Sequence, residues 1–191
     1  FAGGALGGEA EFIRPQITLT SFRPVTRNPV KSYFGVNFEA GYIDAIGEIT
    51  DDEPKIFPQQ RFFLGGDDSI RGFRRRSVVV REENGDFRFD EDGFPLGGDA
   101  MLLLNLEYHI DAGGPFRVVL FGDAGGVFDT SGEFGPAQSI DPDLFRYSAG
   151  VEMRVRVPIF PAPLRFIYAR NLDPLENDQF DSFDFSLSTA F

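Results

Sequence analysis

At 191 residues with a net charge of -12, no cysteine and a single histidine, the chain has no disulfide framework, no thiolate metal site and no basic surface for a nucleic-acid groove. Phenylalanine occurs 23 times and glycine 22 times, which sits uneasily with one ordinary soluble core of this length. No run approaches the roughly 20 apolar residues of a membrane helix, a test that barrels escape because their spanning strands alternate.

No basic stretch followed by an apolar one opens the chain, so any export signal is expected outside these residues. Phe12 to Phe22 alternates, with Ile13, Ile17 and Leu19 on one face and Arg14, Gln16, Thr18 and Thr20 on the other, which predicts a strand. Pro24 and Pro29 frame a predicted turn. Lys31 to Ile43 alternates more cleanly: Phe34, Val36, Phe38, Ala40 and Tyr42 oppose Tyr33, Gly35, Asn37, Glu39 and Gly41, a second strand long enough to span a bilayer.

Gly47 to Asp99 has no sustained period, and a stretch of roughly 50 such residues inside a compact domain is either functional or an argument against the strand assignment. Within it, Arg61 to Phe73 reads Arg-Phe-Phe-Leu-Gly-Gly-Asp-Asp-Ser-Ile-Arg-Gly-Phe. Gly65, Gly66 and Gly72 permit backbone angles closed to other residues, and Asp67, Asp68 and Ser69 favour turns. Phe62, Phe63, Leu64, Ile70 and Phe73 are too apolar to be left in water, so this loop should fold back onto a surface. Arg71 stands inside that apolar frame and requires carboxylates to offset its desolvation.

Alternation returns at Met101, with Leu102, Leu104, Leu106, Tyr108 and Ile110 opposite Met101, Leu103, Asn105, Glu107 and His109. A turn at Ala112 to Pro115 leads to Arg117 to Val127, where Val118, Leu120 and Ala124 oppose Val119, Phe121, Asp123 and Gly125. Phe145 to Val157 follows; one face stays apolar for its whole length, as a lipid-facing stripe would, while the other carries Arg146, Ser148, Glu152, Arg154 and Arg156. Pro163 to Ala169 and Phe183 to Phe191 complete a set of about seven strands with no convincing helix. Acid concentrates at Asp51 to Glu53, Glu82 to Asp92 and Asp173 to Asp184, in stretches with turn signals. Short turns at one end and long acidic loops at the other describe an all-β, antiparallel transmembrane barrel. A soluble β-sandwich module would also bury one face of each strand and is the contrasting reading.

The loop resembles that of the BamA-like outer-membrane barrel superfamily, the bacterial surface antigens. The family carries Val-Arg-Gly-Phe or Val-Arg-Gly-Tyr on a long loop tucked into the lumen, and here Ile70, Arg71, Gly72 and Phe73 stand in its place. An inward Glu107 and Phe121-x-Asp123-x-Gly125 follow in the family's order, and a final strand with Phe183, Phe185, Leu187 and terminal Phe191 is similar to its insertion signal. Ser188 replaces a common glycine, and Ile167 stands where relatives often carry an acid.

The resemblance implies the carboxy-terminal portion, residues 1–191, of a barrel of about sixteen strands, with a lumen-entering loop at 47–99 and periplasmic domains outside this chain. Open sheet edges in lipid would leave backbone groups unsatisfied, so the remaining strands are expected from elsewhere. It implies a multi-pass protein of the Gram-negative outer membrane that folds and inserts unfolded barrel clients, with accessory lipoproteins as partners. The alternative is a pore that secretes a partner or a fused passenger. The last strand would be one lip of a lateral seam at which clients pair.

By strand parity Glu107 and Asp123 share the polar face, which makes Asp123 the first and Glu107 the second expected partner of Arg71. No enzyme, cofactor or metal is expected. One imidazole, His109, beside lumen carboxylates reads as a polar wall; Ser69 and Ser186 have no base in register; Asp86, Asp90, Glu91 and Asp92 lack the spacing of a calcium loop.

Overall fold

Alternation with period two lays the strands side by side with one apolar and one polar face each. In the computed structural model, which describes residues 12–45, 56, 58–82, 84–90, 92–132, 135–159 and 162–187, the strands are β1 Phe12–Ile13, β2 Gln16–Thr26, β3 Ser32–Tyr42, β4 Asp44–Ala45, β5 Ala100–Gly113, β6 Phe116–Phe128, β7 Arg146–Val155, β8 Leu164–Asn171 and β9 Phe183–Leu187. Seven of them form one antiparallel sheet in the order β2-β3-β5-β6-β7-β8-β9, and β1 pairs separately with β4. The expected loop residues 47–55 and the terminal Phe191 lie outside the described residues.

Most strand ends fall within two residues of the sequence expectation, and three features depart from it further. The alternating run from Phe12 is two strands, interrupted at Arg14 and Pro15, because proline has no N–H to give to a ladder. β2 then continues past Phe22 to Thr26, with a register shift between Pro24 and Thr26; an edge strand tolerates a proline that a central one would not. Before β7 the chain makes one 3-10 turn, Pro142–Leu144, in which the Asp143 amide donates to the Asp141 side chain at 3.0 Å.

Register arranges the side chains in rows across the strands. On one face Phe34, Tyr108, Leu120, Val151, Tyr168 and Phe183 lie directly opposite one another in succession from β3 to β9. Tyr168 is 60% exposed and Phe183 64%, so this apolar face is bare. The other face carries the row Asn37, Asn105, Asp123, Ser148, Asn171 and the row Gly35, Glu107, Phe121, Gly150, Ala169.

The β4–β5 connection crosses this second, inner face. Its Phe62, Leu64, Ile70, Phe73, Val78, Val80 and Leu96 are buried against Ile43, Met101, Leu103 and Val127. Each such side chain contributes about 1.5–3 kcal/mol by leaving water. The main chain of the crossing is tied by isolated bridges, Phe62 to Gly98, Leu64 to Val78 and Arg81 to Phe87, in place of a regular ladder. The core therefore sits between loop and sheet at the loop end, and the inner face nearer the turns stays polar.

Candidate functional site

The loop reaches its deepest point at Arg71. Gly65, Gly66 and Gly72 take φ of 98°, 111° and 87°, and Gly66 N donates to Phe73 O at 2.8 Å, closing a tight turn that aims residues 70 and 71 at the sheet. The Gly65 amide donates to Ser69 Oγ, and Ser69 O accepts from Asn105 Nδ2 at 2.6 Å, so the turn is held from within and from β5. Ile70 is fully buried in the apolar cluster, which places the next residue on the polar part of the inner face.

Arg71 is 2% exposed and every arm of its guanidinium is used. Nε donates to Asp123 Oδ2 at 2.8 Å and Nη2 to Asp123 Oδ1 at 2.7 Å, a bidentate pair. Nη1 donates to Glu107 Oε1 and to Glu152 Oε2, the latter at 2.9 Å. The guanidinium carbon lies 3.8 Å from the centroid of the Phe121 ring, a cation–π contact in a dry site. Burial alone would lower the pKa of Arg71, but Asp123, Glu107 and Glu152 raise it above its ordinary value, so the cation is permanent.

Two more guanidinium groups complete the knot. Arg154 Nε donates to Glu152 Oε1 and its Nη2 to Glu107 Oε1 at 2.8 Å. Arg165 Nε donates to Glu152 Oε1 at 2.7 Å, and its Nη2 donates to the Asp67 carbonyl at 2.9 Å. Arg71, Arg154 and Arg165 thus face Asp123, Glu107 and Glu152, and Asp67 and Asp68 meet Arg165 from the loop. Such a matched set specifies one position for the loop more than it adds net stability, whereas removing a single member leaves a buried charge unpaired at about 3–5 kcal/mol.

The structure brings Ile70, Arg71, Gly72, Phe73, Asp123 and Glu107 together, and it adds Glu152, Arg154, Arg165 and Asn105, which sequence reasoning did not assign to Arg71. Their signal was present: each has the inward parity of its strand, and Ile167, the missing acid, lies directly opposite Glu152. Gly72 packs where any Cβ would meet the Phe180 ring and lie 2.7 Å from the Ala169 Cβ. Phe73 meets Phe180 edge-on at 5.0 Å, and Asp181 N donates to Gly72 O at 2.7 Å, so the motif also holds the segment leading into β9. Phe183, Phe185 and Leu187 are separate from the knot, exposed on the bare face, with Phe185 against Phe166 at 5.1 Å.

His109 stacks on Tyr33 at 4.2 Å, with Nε2 2.7 Å from Glu107 Oε2. Among the described residues no three His, Asp or Glu side chains are grouped to hold a metal. Asp90 Oδ1 instead accepts from the Asp92 and Phe94 amides, and Glu91 lies outside the described residues. Farther along the loop, Arg88 bonds Glu82 and Asp129, and Arg81 bonds Asp178, tying the crossing to the connections after β6 and β8.

The Omp85 superfamily domain model matches residues 1–191. The chain is 33% identical over 200 residues to the outer membrane protein assembly factor BamA of Nitratidesulfovibrio vulgaris, a match covering 100% of this chain and 22% of that protein. It is 29% identical over 165 residues to the sorting and assembly machinery component 50 homolog of Mus musculus, covering 80% of this chain and 32% of that one. Among solved structures, BamA from Haemophilus ducreyi lacking POTRA domains 1-3 superimposes with a TM-score of 0.70 at 23% identity, over 93% of this chain and 35% of that chain. That likeness shows the fold: the seven-stranded sheet is a section of a larger barrel of this type. The chain spans about a fifth to a third of the length of these proteins.

Proposed function

The chain belongs to the Omp85 superfamily, and we propose that it is the carboxy-terminal barrel region of a factor that folds and inserts β-barrel proteins into the outer membrane. The whole-chain identity to an assembly factor is the observation that carries this reading. The bare apolar face meets lipid, the inner face lines the lumen of a barrel of about sixteen strands, and the 47–99 loop enters that lumen. The work is mechanical: clients pair as strands at a sheet edge, a process that needs main-chain hydrogen bonds and no covalent chemistry.

In this reading Ile70, Arg71, Gly72 and Phe73 lock the loop to the wall through Asp123 and Glu107. Support comes from the density of charge-assisted bonds at Arg71 and from the contacts of Phe73 and Gly72 with Phe180 and Asp181, just ahead of β9. The wall stays stiff on the loop side while β9, with Phe183, Phe185 and Leu187, offers an edge to clients. Unfolded barrel proteins and accessory lipoproteins are the partners of the complete protein.

Depletion of the protein in its own host tests the role. A simultaneous fall in several unrelated outer-membrane barrels, read by heat-modifiable migration, is expected. Loss of one exported protein with the barrels intact would mean a secretion pore.

A further inference from the structure

On the inner face, the row at the turn end of the sheet runs Asp111, Arg117, Arg154, Arg165 from β5 to β8. Arg156 joins it, because its amide donates to Pro115 O at 2.9 Å beside the β5–β6 turn, and Lys31 joins it, because its carbonyl accepts from the Asp111 amide at 2.9 Å. Lys31, Arg117, Arg154 and Arg156 line a cavity of about 330 Å³ together with Asp111 and the β5–β6 turn at Gly113 and Gly114. Four cations thus surround one carboxylate in a chain whose net charge is -12.

That carboxylate is already used, since Arg117 Nε donates to Asp111 Oδ1 at 2.8 Å. Among the described residues Lys31 and Arg156 have no ion-pair partner. Arg154 spends Nε and Nη2 on Glu152 and Glu107, and its Nη1 has no partner among the described residues. The mouth is open at the β5–β6 turn, where a Cβ built on Gly113 or Gly114 would meet nothing within 4 Å. Like charges gathered around a cavity repel one another and concentrate anions there.

We propose that this cradle is a docking site for an acidic peptide segment, whose carboxylates take the free donors of Lys31, Arg154 and Arg156. A peptide fits better than a lipid headgroup because these cations stand on the inner face, away from the bare apolar face that meets the bilayer. A guanidinium donates two parallel bonds to a carboxylate, and a charge-led contact of this kind is fast and salt-sensitive. The site is distinct from the Arg71 knot but continuous with it through Arg154, so an occupant would sit directly beneath the lock.

The proposal rests on the barrel reading, and its test keeps the two apart. Full-length protein is placed in phosphatidylcholine nanodiscs, and fluorescein-labelled hexaglutamate is titrated at low salt with anisotropy as readout. Saturable binding is expected, with none for hexalysine, and K31E/R156E should weaken it about tenfold, the factor that corresponds to a couple of screened charge contacts. Heat-modifiable migration of wild type and variant reports the barrel independently; if the double variant misfolds, Lys31→Gln and Arg156→Gln singly carry the comparison. Absence of saturable binding, or equal binding by the folded variants, overturns the proposal. So does native mass spectrometry in which wild type retains phosphatidylglycerol, the variant loses it, and neither takes the peptide.

Discussion

The main chain and the side chain of Arg71 converge on one carboxylate: Asp123 Oδ2 accepts from the Arg71 amide at 3.0 Å and from Nε at 2.8 Å. Exchanging the two charges therefore cannot restore the contact. A glutamate at 71 would face Glu107 and Glu152, and an arginine at 123 would leave the amide without an acceptor. Arg71→Glu, Asp123→Arg and the double variant are all expected to fail in heat-modifiable folding, each by about 3–5 kcal/mol or more. Recovery in the double would mean that Glu107 and Glu152 do not contribute to holding the loop.

Glu152 meets three guanidinium groups, those of Arg71, Arg154 and Arg165, whereas Glu107 meets Arg71, Arg154 and the imidazole of His109. Replacing Glu152 by Gln leaves Asp123 and Glu107 for Arg71 and Arg154 and removes the β7 carboxylate from Arg165, which keeps Asp67 and Asp68 of the loop. Glu152→Gln is expected at the upper end of the roughly 3–5 kcal/mol range for a broken buried pair and Glu107→Gln at the lower end. The temperature at which each variant loses its folded gel mobility orders them; the reverse order would place the weight of the knot on β5.

Much of this was legible from parity. Alternation alone puts Glu107, Asp123, Glu152 and Arg154 on polar faces, because a period of two decides direction without knowledge of the partner strand. The sequence does not say how far across the sheet a loop reaches, so β7 and β8 were not expected at Arg71; that distance is set by the crossing itself, through Ile70 and the bridges at Phe62 and Leu64. The break at Pro15 was hidden by the regular alternation around it, and the persistence of β2 through Pro24 depends on its place at an edge. The cradle at the turn end was invisible because Lys31, Arg117 and Arg156 come from three hairpin ends that only register brings together.

Gly72 combines two constraints. Its φ of 87° disfavours any side chain, and an added Cβ would press on the Phe180 ring and Ala169. Gly72→Ala should lower the folding temperature, and adding Phe180→Ala should recover only the part due to the Phe180 ring. The crowding on Ala169 and the left-handed backbone cost of about 1–2 kcal/mol remain in the double. Complete recovery would mean that packing alone selects glycine here.

Arg74 forms a two-armed bond with Asp181, with Nε to Oδ2 at 2.8 Å, beside the same β9 segment. Both side chains are more than half exposed, at 59% and 55%, so water and salt screen the pair. Arg74→Ala is expected to leave heat-modifiable folding unchanged, in contrast to Arg71→Ala three residues earlier. A loss comparable to that of Arg71→Ala would show that the segment before β9 is held from the loop surface and not through Phe73 and Gly72.

Val151 and Phe116 test what covers the bare face. Both are exposed on it, at 43% and 48%, but Val151 lies within β7 in the row from Phe34 to Phe183, whereas Phe116 begins β6 at the turn end. In lipid, a lysine at the midplane costs about 2–4 kcal/mol and one near the interface about 0–1 kcal/mol, since the ammonium can reach headgroups from the edge. Val151→Lys is therefore expected to reduce the amount of folded barrel recovered from membranes, and Phe116→Lys to leave it near the wild-type level. A water-facing sheet would tolerate both substitutions equally, because an exposed lysine costs nothing there. Equal tolerance would remove the bilayer from this face, and with it the barrel reading of the whole sheet.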